Sequence, residues 1–384
     1  MAGKYNTKLK RLIKRIISAT GFKNISINVN NSRHNKNCLI SYIRNPFEEG
    51  PDNTHQNVTQ IIEIARIMDD LAYNVDVIDY RSKKVIFNKK YDVLFEICIK
   101  KNPVYRNALK KDAKRIIYLT GSESEFANTA ELKRLEELYA RRGAKLQPRR
   151  QAPLIEKDIE NFDKVIMIGN EYTLETYRKF KLNSPVLVPN TGYDFNFVFD
   201  DDKKKSDSFL YFGSAGCVHK GLDLLLEVFS EQDFPCKLYV CGNFREEQDF
   251  FNEYENELYH TNNIVPMGFV DVGSETFEHL CGECSFSILP SCSEGCAGTI
   301  ATCMSAGLIP ICSRVCGYDD DEVIVLEDCS KTTIKQEVLK AAAMDIKNIK
   351  ERSACEVKLT KEKYCMSNFS KLMKQALSDT ILYV

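Results

Sequence analysis

The stretch 286–312 narrows the fold more than any other part of the chain. An apolar run at 286–289 suits a buried strand, and a second at 308–312, punctuated by Gly307 and Pro310, suits another. Between them there is room for a loop and a short helix. Glu294 is the carboxylate of that loop, set among Gly295, Cys296, Ala297 and Gly298, where small residues would let a ligand press against the backbone. The N–H groups of Ala297, Gly298 and Thr299 would point out of the helix start, where they and the helix dipole favour an anionic or hydroxyl-rich ligand. The same spacing suits equally well an ordinary strand–turn–helix whose small residues only permit close packing.

At 384 residues the chain exceeds what one small core organises and suits two domains. Hydrophobic content of 43% beside 28% charged residues describes a globular protein, and a net charge of −1 gives no electrostatic case for nucleic acid. Fifteen cysteines, an odd number scattered through apolar runs, argue for reduced thiols and a cytoplasmic setting instead of a disulfide framework. Cys281 and Cys284 have C-x2-C spacing with Cys292 and Cys296 near, but no second pair and no paired histidines follow, so no metal is expected. No apolar run reaches the roughly 18 residues of a membrane span, and no secretion signal is visible. Residues 1–23 hold seven Lys or Arg and no acid, with Leu9, Leu12, Ile13, Ile16 and Ile17 at helical spacing. Such a basic amphipathic helix suits an anionic membrane surface or packing on the protein's own body.

From residue 35 onward strands and helices alternate. A strand at 38–43, a helix at 58–72 and a strand at 75–80 form a βαβ unit, which implies a parallel sheet. Its connecting loop carries Gly50 and His55 at the C-terminal end of the first strand, where open α/β sheets place their ligands; a surface His capping a helix is the plain alternative. Strands follow at 91–97, 115–120, 165–169 and 185–188, with a helix at 129–142 closed by Gly143. The charged block 200–207 reads as the end of an interdomain connection, after which a strand at 208–212 opens a second domain. Its first turn, Gly213-Ser214-Ala215-Gly216-Cys217-Val218-His219-Lys220-Gly221, is neither a Walker loop nor a Rossmann fingerprint. Lys220 opposes the dipole of the helix it opens, which calls for an anion there. Strand ends at Asn243 and at Phe269-Val270 come next, and the chain turns helical beyond 326.

Ser293-Glu294-Gly295, the small residues after it and Gly307-Leu308-Ile309-Pro310-Ile311 resemble the donor-sugar segment of family 4 glycosyltransferases of the GT-B fold. The resemblance implies an α/β protein of two Rossmann-like domains facing across a cleft. It divides the chain into a basic N-terminal helix and linker (1–34), an acceptor-side domain (35–200), a nucleotide-sugar domain (201–360) and a C-terminal helix returning to the first domain (361–384). It further implies transfer of a sugar from a nucleotide-sugar to a glycan or lipid-linked acceptor with retention of configuration, in polysaccharide biosynthesis, without a metal or other cofactor. Glu294 with the amides of Gly295, Cys296, Ala297, Gly298 and Thr299 would hold the donor sugar, Lys220 the diphosphate, and the turns at Gly213, Ser214, Asn243, Phe269 and Val270 the nucleotide. Two departures stand out: Thr302 occupies the place of the ribose-binding glutamate, and Ser214 that of a phosphate-binding arginine. Tyr118-Leu119-Thr120-Gly121, Phe126-Ala127-Asn128 and Arg141-Arg142-Gly143 resemble a bacterial subgroup, with Glu123 in place of a histidine at the donor sugar. Glu123 and His55 are accordingly expected at the reacting sugar, and His55 with Gly50 beside the acceptor. An inactive sugar-nucleotide binder and an epimerase of the same fold are the alternatives.

Overall fold

The computed structural model describes residues 25–50, 55–82, 85–97, 103–195 and 203–382. The basic helix expected at 1–23 lies outside the described residues. Two sheets organise the rest. The first comprises β1 (Ile25–Ser26), β2 (Lys36–Tyr42), β3 (Tyr73–Asp79), β4 (Tyr91–Glu96), β5 (Leu109–Leu119), β6 (Lys164–Ile168) and β7 (Val186–Val188), in the order β1-β3-β2-β4-β5-β6-β7. All neighbours run parallel except β1, which is antiparallel to β3. The second comprises β8 (Lys205–Phe212), β9 (Lys237–Cys241), β10 (Ile264–Gly268), β11 (Cys284–Leu289), β12 (Ile309–Ser313) and β13 (Ile324–Leu326), in the order β10-β9-β8-β11-β12-β13, wholly parallel.

Parallel strands covered on both faces must be apolar nearly throughout, and residues 38–42 of β2 and all of β6 and β11 are buried. The helix Gln56–Asp70 obeys the other period: Val58, Ile61, Ile64, Ala65 and Met68 form one stripe against the sheet. Some boundaries differ from the sequence reading. The strand expected at 115–120 runs from Leu109, and Lys205–Asp207, read as connection, already pair in β8. Helices Gln248–His260 and Glu275–Glu283 fill the second domain.

The helix Ser124–Arg142 begins five residues before the expected start and presents few apolar residues to its neighbours. It is held by charge across the two domains. Arg141 reaches Asp223 at 2.7 Å and Glu227 at 3.2 Å, while Arg142 reaches Glu253 at 2.7 Å and Glu257 at 2.6 Å. Just beyond, Arg149 pairs with Asp249, whose other oxygen accepts the Gln147 N–H at 2.9 Å. Burial pushes Asp223 up to about 6 even though Arg134 and Arg141 act to lower it. The last helix, Met366–Ile381, packs Phe369, Met373 and Leu377 inward and lies on the first-domain helix Gln56–Asp70, with Lys374 at 2.8 Å from Asp70.

Candidate active site

The C-terminal strand ends of both sheets meet at one cavity of about 670 Å³. Ile43, Tyr80, Arg81, Thr120 and Asn190 line it from the first domain; from the second come Gly213, Ser214, Asn243, Phe269, Val270, residues 294–299 and Thr302. Parallel sheets place ligands at such ends because the loops there are free of the sheet and helix N-termini point inward.

At its centre Lys220 and Glu294 face one another, Nζ to Oε1 at 2.6 Å, with side-chain exposures of 5% and 11%. Burial alone would raise the Glu294 carboxyl, but the charges of Lys220, His219 and Arg150 hold it at about 2, so it stays ionised at any physiological pH. Oε1 also accepts from Ser291 Oγ at 2.9 Å, while Oε2 has no partner among the described residues and remains an acceptor. His219 braces the loop from below. It is buried, its Nε2 donates to the Ser293 carbonyl at 2.6 Å, and its own carbonyl accepts from the Cys292 N–H at 2.9 Å.

The first domain holds that loop by its carbonyls. Ser122 N–H donates to Glu294 O at 3.1 Å, Thr173 Oγ1 to Gly295 O at 2.8 Å, Asn190 Nδ2 to Cys296 O at 2.7 Å and Gln56 Nε2 to Gly298 O at 3.0 Å. The approach is close enough to require glycine: a Cβ on Gly295 would come within 2.8 Å of Gly121 Cα. With its carbonyls turned to the first domain, the loop offers amides to the cavity. Ala297 N–H is already taken by Cys316 O at 2.9 Å, which leaves Gly298 and Thr299, at the start of the helix Gly298–Ser305, without partners among the described residues. On the other side of Lys220 a buried carboxylate, Glu247, accepts from Gly216 N–H at 2.5 Å and from Cys217 N–H at 3.1 Å, so those turn amides are spent as well.

Of the residues singled out in the sequence, Lys220, Glu294, Gly295, Cys296, Ala297, Gly298, Thr299, Thr302, Gly213, Ser214, Asn243, Phe269, Val270 and His55 all border the cavity. Glu123 does not. It is 2% exposed and is the N-cap of the helix Ser124–Arg142, accepting from Glu125 N–H at 3.0 Å and Phe126 N–H at 3.1 Å, because it directly precedes the first helical residue. Gly50 closes the short helix Asn45–Glu49 with φ +89° and is not part of the cavity wall, and residues 51–54 beyond it lie outside the described residues. His55 opens onto the cleft and also caps the helix Gln56–Asp70: its Nδ1 accepts from Asn57 N–H at 3.1 Å, which puts the neutral ring's proton on Nε2. Enclosure by the cleft walls, then the nearby Arg150 and Lys220, lowers its pKa. His55 is therefore placed to donate a hydrogen bond from Nε2.

The Thr302 hydroxyl is partly engaged: it donates to Gly298 O at 2.9 Å and accepts from Gln56 Nε2 at 3.0 Å, which leaves one lone pair for a ligand. Gln56, Asn190, His219, Glu247 and Arg150 escaped the sequence reading, since each owes its place to a contact with a distant segment. The C-x2-C cysteines, Cys281 and Cys284, are buried in the second domain, and among the described residues no group of three or more metal-binding side chains gathers.

Residues 206–343 match the family model of glycosyl transferases group 1. No curated protein matches the chain in sequence. Solved structures match over most of its length. A glycosyltransferase from Rickettsia africae aligns with a TM-score of 0.59 at 11% identity, over 91% of this chain and 100% of that one. Sucrose-phosphate synthase from Thermosynechococcus elongatus aligns with a TM-score of 0.63 at 13% identity, over 92% of this chain and 100% of that one. Alr3699/HepE from Anabaena, in complex with UDP and glucose, aligns with a TM-score of 0.57 at 11% identity, over 90% and 100%. At such identities the likeness establishes the architecture, two α/β domains of the GT-B fold, while the segment 206–343 is similar to the glycosyl transferases group 1.

Proposed function

We propose that this protein transfers a sugar from a nucleotide-diphosphate donor to a hydroxyl of a glycan or lipid-linked acceptor, with retention and without a metal. The Lys220–Glu294 pair in a cavity between two sheets carries the reading. An ammonium and a carboxylate 2.6 Å apart are the two complements a sugar diphosphate needs, one for the phosphate oxygens and one for the sugar hydroxyls. Donor entry exchanges the pair's mutual contact for contacts with the ligand. The nucleotide would lie along Gly213, Ser214, Asn243 and the exposed ring of Phe269, and the acceptor would come from the lip formed by His55, Tyr80 and Arg81.

In the reaction the bond from the anomeric carbon to the diphosphate oxygen breaks and a bond from that carbon to the acceptor oxygen forms on the same face. The acceptor's proton goes to the departing diphosphate oxygen. Lys220 and the amides of Gly298 and Thr299 would stabilise the charge that develops there, and Glu294 would orient the sugar. Alr3699/HepE was also solved with UDP-glucose, which makes UDP-sugars the first donors to try beside GDP-, ADP- and CMP-sugars. The test is a donor panel against mixed acceptors, read by nucleotide release and by NMR of the product's anomeric configuration. Transfer with retention supports the reading; binding without turnover on every acceptor, or an inverted product, overturns it. Membrane attachment through residues 1–23 is a separate element of the proposal. Vesicle co-sedimentation of the full chain against a truncation starting at Asn35 checks it, and equal binding of the two removes it.

A further inference from the structure

The cavity is short of positive charge for the ligand proposed above. Lys220 is engaged with Glu294, the Gly216 and Cys217 amides with Glu247, and Arg81 with Asp79 through two hydrogen bonds of 2.8 and 2.9 Å. Arg150 is the cation of the cavity wall whose guanidinium meets no carboxylate among the described residues. It belongs to the first domain, in the segment 144–154 that follows the helix Ser124–Arg142, yet its side chain lies on the second-domain turn 213–221. A Cβ on Gly216 would come within 2.7 Å of Arg150 Cγ, so the glycine leaves room for the arginine stem.

The backbone carrying Arg150 is fixed by an unusual investment. Glu131, 2% exposed in the middle of the helix Ser124–Arg142, accepts from Arg149 N–H at 2.8 Å, Arg150 N–H at 2.9 Å and Gln151 Nε2 at 2.8 Å. Taking a carboxylate out of water is costly unless its oxygens are satisfied, and here they are satisfied by the one turn that presents Arg150. The neighbouring Arg149–Asp249 pair anchors the same turn to the second domain.

We propose that Arg150 supplies, from the first domain, the second positive charge for the donor diphosphate seated on the second domain, and that Glu131 is its positioning residue. The inference rests on the nucleotide-sugar reading. A planar guanidinium suits phosphate oxygens better than an ammonium does, since it can donate two parallel N–H bonds. The charge of Arg150 already reaches the centre of the site, where it acts with Lys220 on Glu294 and His55. Because the cation and the rest of the diphosphate site sit on different domains, the ligand would tie the two together.

Calorimetric titration of the full chain with UDP, GDP, ADP and CDP, and with the matching nucleosides, tests this. Wild type should bind at least one diphosphate more tightly than its nucleoside. Arg150→Ala should weaken that diphosphate by at least roughly tenfold, leave the nucleoside unchanged and flatten the salt dependence, with Arg150→Lys recovering part of the loss. Glu131→Gln should show a smaller loss confined to the diphosphate. Should no nucleoside diphosphate bind wild type, the nucleotide-sugar reading itself falls. Binding by wild type that Arg150→Ala leaves unaltered overturns this inference alone, and unaltered binding in a folded Glu131→Gln removes the positioning role. Arg150 is exposed, so its replacement decides the matter even if the Glu131 variant does not fold.

Discussion

Glu123 and Glu294 invite comparison. Each follows a strand at the cleft side of its sheet, each precedes a helix, and each is largely buried. Burial works to raise both pKa values, and in both it is outweighed. For Glu123 the helix amides of Glu125 and Phe126 and then Lys179 outweigh it; for Glu294 it is Lys220, then His219 and Arg150. The difference lies in distance along the chain to the helix. Glu123 adjoins Ser124, the first helical residue, so its carboxylate folds back onto the opening amides. Glu294 is separated from Gly298 by glycine, cysteine and alanine, cannot reach those amides, and extends to Lys220. Where a carboxylate stands relative to a helix start decides whether it serves the backbone or a ligand.

Four measurements would break or sharpen that contrast. The largest effect is expected from Lys220→Ala, which should cost a charge-assisted contact of roughly 1.5–3 kcal/mol, tenfold or more in donor affinity. Unchanged donor affinity in the folded variant would remove Lys220 from the site. Glu294→Gln keeps the shape and removes the charge, and transfer should slow by at least about tenfold, near 1.4 kcal/mol in barrier; Glu123→Gln should leave turnover per folded molecule as it was. Equal losses in the two would erase the distinction drawn here. Next, Glu123→Ala should lower unfolding stability by about 1 kcal/mol through the lost cap, measured by denaturant titration.

The smallest effect is on acid stability. The Glu294 carboxyl lies below its ordinary 4.5 in the folded protein, so its contribution is fully present above about 4.5 and is lost as pH falls toward about 2. Glu294→Gln should therefore flatten the acid limb of an unfolding curve in that window. An acid limb identical to wild type would mean that the ion pair adds nothing to stability.

Much of the architecture was legible because parallel sheets impose simple signals: the mostly apolar, buried runs of β2, β6 and β11 and the stripe of the helix Gln56–Asp70 follow from burial alone. Within the site, Lys220 and Glu294 were legible as residues but not as partners, since no local pattern tells that a turn after β8 meets a loop after β11. Glu123 misled because a cap and a ligand-binding carboxylate look alike before the helix start is known. Arg150 left no signal at all. It lies in a segment without regular structure, beside other arginines, and its distinction comes from Glu131 and Gly216, residues remote from it in sequence.

The Glu294 carbonyl, held by the other domain, turns one backbone amide into a clock. Ser122 N–H bonds to Glu294 O at 3.1 Å, so the protecting bond runs from the first domain to the second. That hydrogen exchanges with solvent when the two part there, however rigid each sheet remains. Its exchange therefore times the opening of the cleft, while the amides of β2 or β11 time the unfolding of a whole domain. A bound nucleotide that closes the cleft would slow this clock and leave the sheet amides at their own pace.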